Sequence, residues 1–296
     1  ELSIINSLLN YCLSTYSKIF FNKFFSKVFL LDRIEDYKWY LALTNSADEN
    51  IDLSRLKIQK SKNNEFWADP FLYNHQKKNY VFFENYKFKD QKGIISVGEI
   101  IDDKITCVKD IIKCNYHLSY PYVYEYQGKI YMMPETHQSK RLEIWVATCF
   151  PYEWKIFKTL FNGKKLADSS IIYYNNSYWL FTNIEDDHYN DFATALSIFK
   201  IDSPLLNTIQ PHKYNPVIVG TKNSRNAGSI FIDKKGNFIR PSQAYTAGVY
   251  GKYINLSKIT ELDINTYKEE IISTIMPSKK LKIKGVHHIN KFGDKY

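Results

Sequence analysis

The sequence predicts an all-β chain, a five-bladed β-propeller preceded by an N-terminal amphipathic helix, and three observations carry that prediction. An aromatic-rich pair of strand-like segments joined by a polar turn recurs along the chain with changing sequence. The recurrences start roughly 47 to 60 residues apart, the period of a propeller blade or a solenoid unit. Elsewhere the apolar residues alternate or run in short blocks, as in strands, and past the first 31 residues only 264–275 has a helical look. The expected boundaries are 1–36 for the helical segment and 37–296 for the propeller.

In residues 1–31, Ile5, Leu9, Cys12, Tyr16, Ile19, Phe20 and Phe24 recur at helical spacing, with Ser3, Asn6, Asn10 and Ser17 mostly on the other side. Lys18, Lys23 and Lys27 join the apolar run near its end. Two readings stand. The helix lies on an anionic membrane surface, or it packs on the propeller, another domain or a second subunit. Polar interruptions rule out a membrane span. Residues 37–43 then read as a strand that completes the last blade, and 44–65 as a polar, irregular linker.

The blade starts follow. Residues 66–73 lead into 80–84, 118–124 into 128–135, 167–174 into 178–181, and 227–232 into 236–241; a fifth unit begins at 285–290. Turn residues sit between the paired runs, as in Gln127-Gly128, Asn175-Asn176 and Lys235-Gly236-Asn237. Outer strands are expected at 94–100, 142–147 and 195–199.

With 296 residues the chain can bury a large core. A hydrophobic share of 44% and an aromatic share of 16% exclude disorder. The formal charge of +9 raises the question of nucleic acid or membrane. Its lysines are scattered rather than set in one stripe, so they read as a solvated surface and no nucleic-acid partner is expected. Such a surface still suits a carbohydrate, a sugar phosphate or a nucleotide-sugar donor. No cofactor is required by the sequence. Cys12, Cys107, Cys114 and Cys149 lack CxxC spacing and read as buried free thiols in a reducing compartment. The expected location is cytoplasmic, peripheral at the inner membrane through residues 1–31.

A propeller aims the start of each innermost strand at the central axis, so side chains from different blades converge at one mouth. Asp69, Tyr120, Asp168, Arg225 and His287 lie at or just before such starts, and Glu84, His117 and Glu135 lie near the same mouth. Trp67 is expected in the wall, with Arg240, Gln243 and Tyr250 completing the set. Carboxylates and amides take up sugar hydroxyls, and aromatic faces cover the apolar faces of sugar rings. Plainer roles exist for several of them. An Asp before Pro can accept hydrogen bonds in a turn, Glu84 and Glu135 can be solvated, and Arg225 and Arg240 can tie blades together. His287-His288 is not a metal signature by itself, and no metal site is expected.

Asp69-Pro70 before an aromatic hairpin, with Asp168 in a later blade, resembles the family 43 glycoside hydrolases. That resemblance implies Asp69 as general base and Asp168 as the residue that tunes and orients. The family's acid would fall at Asn226-Ala227-Gly228, where no carboxylate stands; Glu135 is a substitute at a different position. A closer resemblance is to the propeller domain related to the N-terminal region of plant glucosamine inositolphosphorylceramide transferases. It is carried by 66–72, 82–84, 117–122, 131–136, 215–217, 225–230, 240–243, 250–251 and 285–289. The sequence departs from that pattern at Asn226 and His288. This resemblance implies a role in cell-surface polysaccharide biosynthesis, with bacterial capsule or O-antigen as the setting.

The function read from all this is a glycan-active enzyme, a glycosyltransferase. Asp69 serves as base or orienting group for an acceptor hydroxyl, Asp168 and Glu135 orient hydroxyls, and Arg225, Arg240 and His287 hold donor phosphate. Two alternatives stand beside it. A family 43-like hydrolase requires a second carboxyl some 5 to 10 Å from Asp69. A non-catalytic glycan-binding module predicts an aromatic mouth whose acids are all paired with neighbours.

Overall fold

The computed structural model describes residues 38–44, 51, 53–185, 192–246, 249–278 and 280–291. The chain divides into a unit at 1–39 and a unit at 40–296, and nearly all described residues belong to the second. The expected N-terminal helix lies outside the described residues. No α-helix occurs among those described; the two helical pieces are 3₁₀ turns at Leu53–Arg55 and His137–Ser139. No described helix is long and apolar enough to cross a membrane.

A short antiparallel pair comes first, β1 (Leu41–Leu43) with β2 (Lys57–Gln59). The first blade is the meander β3 (Glu65–His75), β4 (Lys78–Lys87), β5 (Lys92–Ile101) and β6 (Lys104–Ile112). The second repeats it with β7 (Ser119–Tyr126), β8 (Lys129–Glu135), β9 (Leu142–Cys149) and β10 (Glu153–Leu160). In the third, β11 (Lys165–Tyr174), β12 (Ser177–Glu185), β13 (Ala195–Ile201) and β14 (Ile209–Pro211) run in order, and β15 (Ile218–Val219) takes the other end of β13. The fourth has a broken inner strand, β16 (Arg225–Asn226) and β17 (Phe231–Ile232), both paired with β18 (Phe238–Gln243). Beyond them lie β19 (Ile254–Leu262) and β20 (Tyr267–Ile275).

Four blades replace the five expected. Residues 285–291 form no strand; they run as an irregular segment between the fourth blade and the first. The Ile289 amide donates to the Ala227 carbonyl at 2.8 Å, and Asn290 donates to Ser229 Oγ at 2.6 Å. On the other side, Asn290 Oδ1 accepts the Leu72 amide at 2.9 Å. A single asparagine thus bridges blades four and one where a fifth sheet was expected. Strand β1 does not complete that sheet either. It pairs with β2, inside the segment read as irregular linker.

The core lies between neighbouring blades, because each strand face left uncovered by its own sheet must pack on the next. Phe82, Ile95, Leu118, Met132 and Trp145 fill the first junction. Met133, Ile144, Leu166 and Leu180 fill the second, and Phe181, Leu196, Ile198 and Ile259 the third. Each such side chain contributes about 1.5–3 kcal/mol by burial. Ile289 joins Ala227, Phe231, Ile254 and Leu256 under the closing segment. The helical look of 264–275 is also overturned. Asp263 accepts the amides of Asn265 and Thr266 in a tight turn, and the apolar residues that follow belong to β20. Cys107 and Cys149 are exposed free thiols rather than buried ones, and Cys114 is half-buried and unbridged.

Candidate functional site at the blade starts

In three blades the inner strand carries the same defect at the same place. The ladder runs Ala68 to Glu84 and then Phe71 to Phe82, so β3 spends one residue more than β4. Ser119 to Glu135 and Tyr122 to Met133 repeat this in the second blade, and Ala167 to Asn183 and Ser170 to Phe181 in the third. Such a bulge re-aims a side chain. The residue just inside each bulge is Asp69, Tyr120 or Asp168, and each has a left-handed backbone, with φ of 48°, 45° and 50°. Left-handed backbone costs energy in a residue with a Cβ and persists where its surroundings hold it. The second strand sets Glu84, Glu135 and Asn183 directly across from the residue before each bulge.

Asp69 is buried, and its Oδ1 faces two imidazoles, Nε2 of His287 at 3.0 Å and Nδ1 of His288 at 3.4 Å. Its Oδ2 accepts the Tyr120 amide at 3.3 Å. Burial by itself would raise this carboxyl, but the hydrogen bonds and charges of His287 and His288 win and hold it far below the usual carboxylate range. Glu135 follows the same rule. Burial opposes ionisation, while His137 Nδ1 at 2.6 Å and Arg225 Nη2 at 3.7 Å bring it down to about 2.

Asp168 accepts from Arg225 Nε at 2.7 Å. Burial and the charges of Glu135 and Asp69 push its carboxyl up against the pull of that guanidinium. Glu84 is pushed well up, first by burial and then by the charges of Asp69, Glu135 and Asp168. Four buried carboxyls at the blade starts have therefore split into two pulled down and two pushed up. His117, whose Nε2 is 3.5 Å from Glu84, is held below its ordinary value by burial.

Aromatic rings line this ring of charges. The Arg225 guanidinium lies 5.1 Å from the Tyr250 ring and 5.8 Å from Phe192, and Tyr250 is 5.5 Å from His287. His288 sits between Phe71 and Tyr120 at 4.9 and 5.2 Å. Asp69, Glu84, His117, Tyr120, Glu135, Asp168, Arg225, Tyr250 and His287 are thus brought together. Gln243 is buried behind them, donating to the Asn226 carbonyl at 3.1 Å. Among the described residues no three His, Cys, Asp or Glu side chains are grouped to hold a metal ion.

Two expected site residues lie elsewhere. Trp67 packs in the core with Leu41, Leu43, Val81 and Phe83, because its neighbour across the bulge, Asp69, takes the axial side. Arg240 is fully buried and its fork is spent on Glu269, with Nε and Nη2 both at 2.7 Å from the carboxylate. It also reaches Asn226 Oδ1 and the Asn223 carbonyl, so it anchors β16 rather than holding phosphate. Conversely, sequence reasoning left His137 and His288 out of the site. The first could have been found from its i+2 spacing to Glu135; the second stood beside His287 but had a metal role weighed for it alone.

The N-terminal region of glucosamine inositolphosphorylceramide transferase 1 matches residues 51–290 as a family. The transferase 1 protein of Oryza sativa subsp. japonica is 38% identical over 208 residues, 69% of this chain and 27% of that protein. That of Arabidopsis thaliana is 36% identical over 225 residues, 73% of this chain and 28% of that protein. The chain therefore spans little more than a quarter of the length of these relatives. Among solved structures, the family 117 glycoside hydrolase Zg3597 of Zobellia galactanivorans superposes with a TM-score of 0.54 at 14% identity, covering 74% of each chain. The α-L-arabinofuranosidase of Lactobacillus brevis gives 0.52 at 13% identity, covering 73% of this chain and 82% of that one. These two likenesses concern the fold alone.

Proposed function

This chain belongs to the family defined by the N-terminal region of glucosamine inositolphosphorylceramide transferase 1, and on that footing we propose that it acts on a glycan at the ring of charges described above. The reaction is transfer of a glycosyl group to an acceptor hydroxyl. The observation that carries this reading is the division of the buried carboxyls at the blade starts, with Asp69 pulled down and Glu84 pushed up. Titratable neighbours whose environments drive them apart mark acid and base roles. Asp69, far below the usual range, suits orientation of the acceptor and stabilisation of positive charge at the anomeric carbon better than strong proton abstraction. Asp168 and Glu135 orient hydroxyls, Tyr250 covers a ring face, and Arg225 with His287 takes any anionic group of the substrate.

The setting in cell-surface glycan synthesis, bacterial capsule or O-antigen, rests on the resemblance of the sequence, and a place at the cytoplasmic face of a membrane rests on the pattern of residues 1–31. The curated relatives matched are plant proteins.

A second reading is favoured by one specific observation. Each acid at the mouth has a basic neighbour: Asp69 has His287, Glu135 has His137, Asp168 has Arg225 and Glu84 has His117. This is the arrangement expected of a glycan-binding module that serves catalysis elsewhere in a longer protein. Binding and turnover on a panel of oligosaccharides and nucleotide-sugars, for the wild type and Asp69→Asn, separate the two. Transfer that collapses in the variant while binding persists supports catalysis. Binding with no turnover in either protein supports the module, and no binding in either defeats both.

A further inference from the structure

Glu84 and Glu135 occupy the same ladder position in neighbouring blades, yet their surroundings differ. Glu135 has an imidazole at 2.6 Å and a guanidinium at 3.7 Å. Among the described residues no lysine or arginine pairs with Glu84, and its basic neighbour is Nε2 of His117 at 3.5 Å. The state of that imidazole is set from behind. The Gly93 amide donates to His117 Nδ1 at 2.9 Å, so Nδ1 is the bare nitrogen and Nε2 carries the hydrogen. The His117 atom 3.5 Å from Glu84 Oε1 is therefore an N–H and not a bare lone pair.

Gly93 also makes the room. A Cβ there would lie 2.6 Å from Glu84 Oε1, 2.8 Å from its Cγ and 2.4 Å from the Leu118 carbonyl oxygen. One glycine thus sets both the seat of Glu84 and the tautomer of His117. The Gln138 side chain fixes the His117 backbone, accepting its amide at 2.9 Å.

We infer that Glu84 is the proton donor of this site, that His117 positions it, and that the donor substrate is a glycoside leaving as an alcohol rather than a nucleotide-sugar. The inference rests on the glycosyl transfer proposed above. With His117 Nε2, which carries its hydrogen, 3.5 Å from Oε1, the proton sits on Oε2. As the bond from the anomeric carbon to the leaving oxygen breaks, the electron pair goes to that oxygen and the Glu84 proton joins it. The acceptor oxygen, oriented by Asp69, forms the new bond to the anomeric carbon, and its proton passes to water. Exchange with solvent returns the proton to Glu84. A diphosphate leaves as a stable anion without such help, whereas an alkoxide needs a proton as it departs.

The test uses paired benzyl and 2,4-dinitrophenyl glycosides of the panel sugars. For Glu84→Gln, kcat/KM on the benzyl glycoside should fall by about 100-fold or more, the usual share of a general acid. The dinitrophenyl glycoside, whose leaving group needs no proton, should react at close to the wild-type rate. His117→Phe should move the alkaline limb of the pH–rate profile upward, since loss of an N–H donor disfavours the ionised carboxyl; a purely structural role would leave the limb in place. Equal loss on both glycosides, or no loss on either, overturns the assignment of Glu84 while leaving glycosyl transfer intact. Wild type that turns over only nucleotide-sugars overturns the substrate class, and wild type that turns over nothing removes the reading on which the inference rests.

Discussion

In the first three blades the inner strand runs through a one-residue bulge and delivers Asp69, Tyr120 or Asp168 to the axis. In the fourth it breaks instead. The equivalent place holds Ala227 and then Gly228, whose φ of 128° and lack of a side chain let another segment come close. A Cβ on Gly228 would lie 1.8 Å from the Ile289 carbonyl oxygen and 3.4 Å from His288 Nε2. The blade whose inner strand breaks therefore admits the segment that supplies His287 and His288. The groups are divided: three blades give acids and a tyrosine, and the fourth gives Arg225 and the gap beside which His287 and His288 reach Asp69. Arg225, at the edge of the break, adds the guanidinium for Asp168.

The largest effect should come from the scaffold of the fourth blade. Arg240 ties the broken strand to β20, and Arg240→Ala leaves Glu269 buried without its cation. Breaking a buried pair on one side costs about 3–5 kcal/mol. Urea unfolding of the variant should show that loss, and a change under 1 kcal/mol would mean that the break needs no anchor.

Gly228→Ala should come next, costing about 1–3 kcal/mol through overpacking. It should also free Asp69 from both imidazoles, so the Asp69 carboxyl should rise toward its ordinary value when followed by NMR. A stable variant with Asp69 unchanged would break the link between the gap and the histidines.

Smaller and pH-dependent effects distinguish the two Glu residues at matched positions. For Glu135, held at about 2 against an ordinary 4.5, the folded state binds fewer protons than the unfolded state. Its contribution is present above pH 4.5 and lost as pH falls toward about 2, and Glu135→Gln should flatten acid unfolding in that window. Glu84 has the opposite sign. Its folded value lies above 4.5, so its contribution is complete below 4.5 and is lost as pH rises through that raised value. Glu84→Gln should therefore gain stability relative to wild type as pH increases. The same slope for both variants would show that the matched positions are not electrostatically different.

The smallest effect is expected at Trp67, which belongs to the core. Trp67→Phe should leave glycan affinity within about twofold, because the ring touches Phe83 at 4.9 Å and not the mouth.

Much of this comparison was legible in the sequence. The recurring aromatic hairpins marked the blade starts, and Asp69, Tyr120 and Asp168 stood out because each falls at the same place in its unit. The fifth blade was misread because 285–290 has the apolar look of another start, while its role depends on backbone bonds to Ala227 and on Asn290. Neither signal is visible as periodicity. Arg240 could not be told from Arg225, since only the fold brings Glu269 beneath it. The alternation that would have placed Trp67 inward is shifted by the bulge at Asp69, which no residue pattern announces. Protonation was equally hidden, because Glu84 and Glu135 look alike until Gly93, His117, His137 and Arg225 are set around them.

The most direct test is a pH titration of the wild-type carboxyl carbons by NMR, with Glu84→Gln and Asp69→Asn to assign the signals. Asp69 and Glu135 should titrate below the surface carboxyls, and Glu84 should titrate above them. Glu84 titrating near 4.5 alongside the surface carboxyls would contradict it.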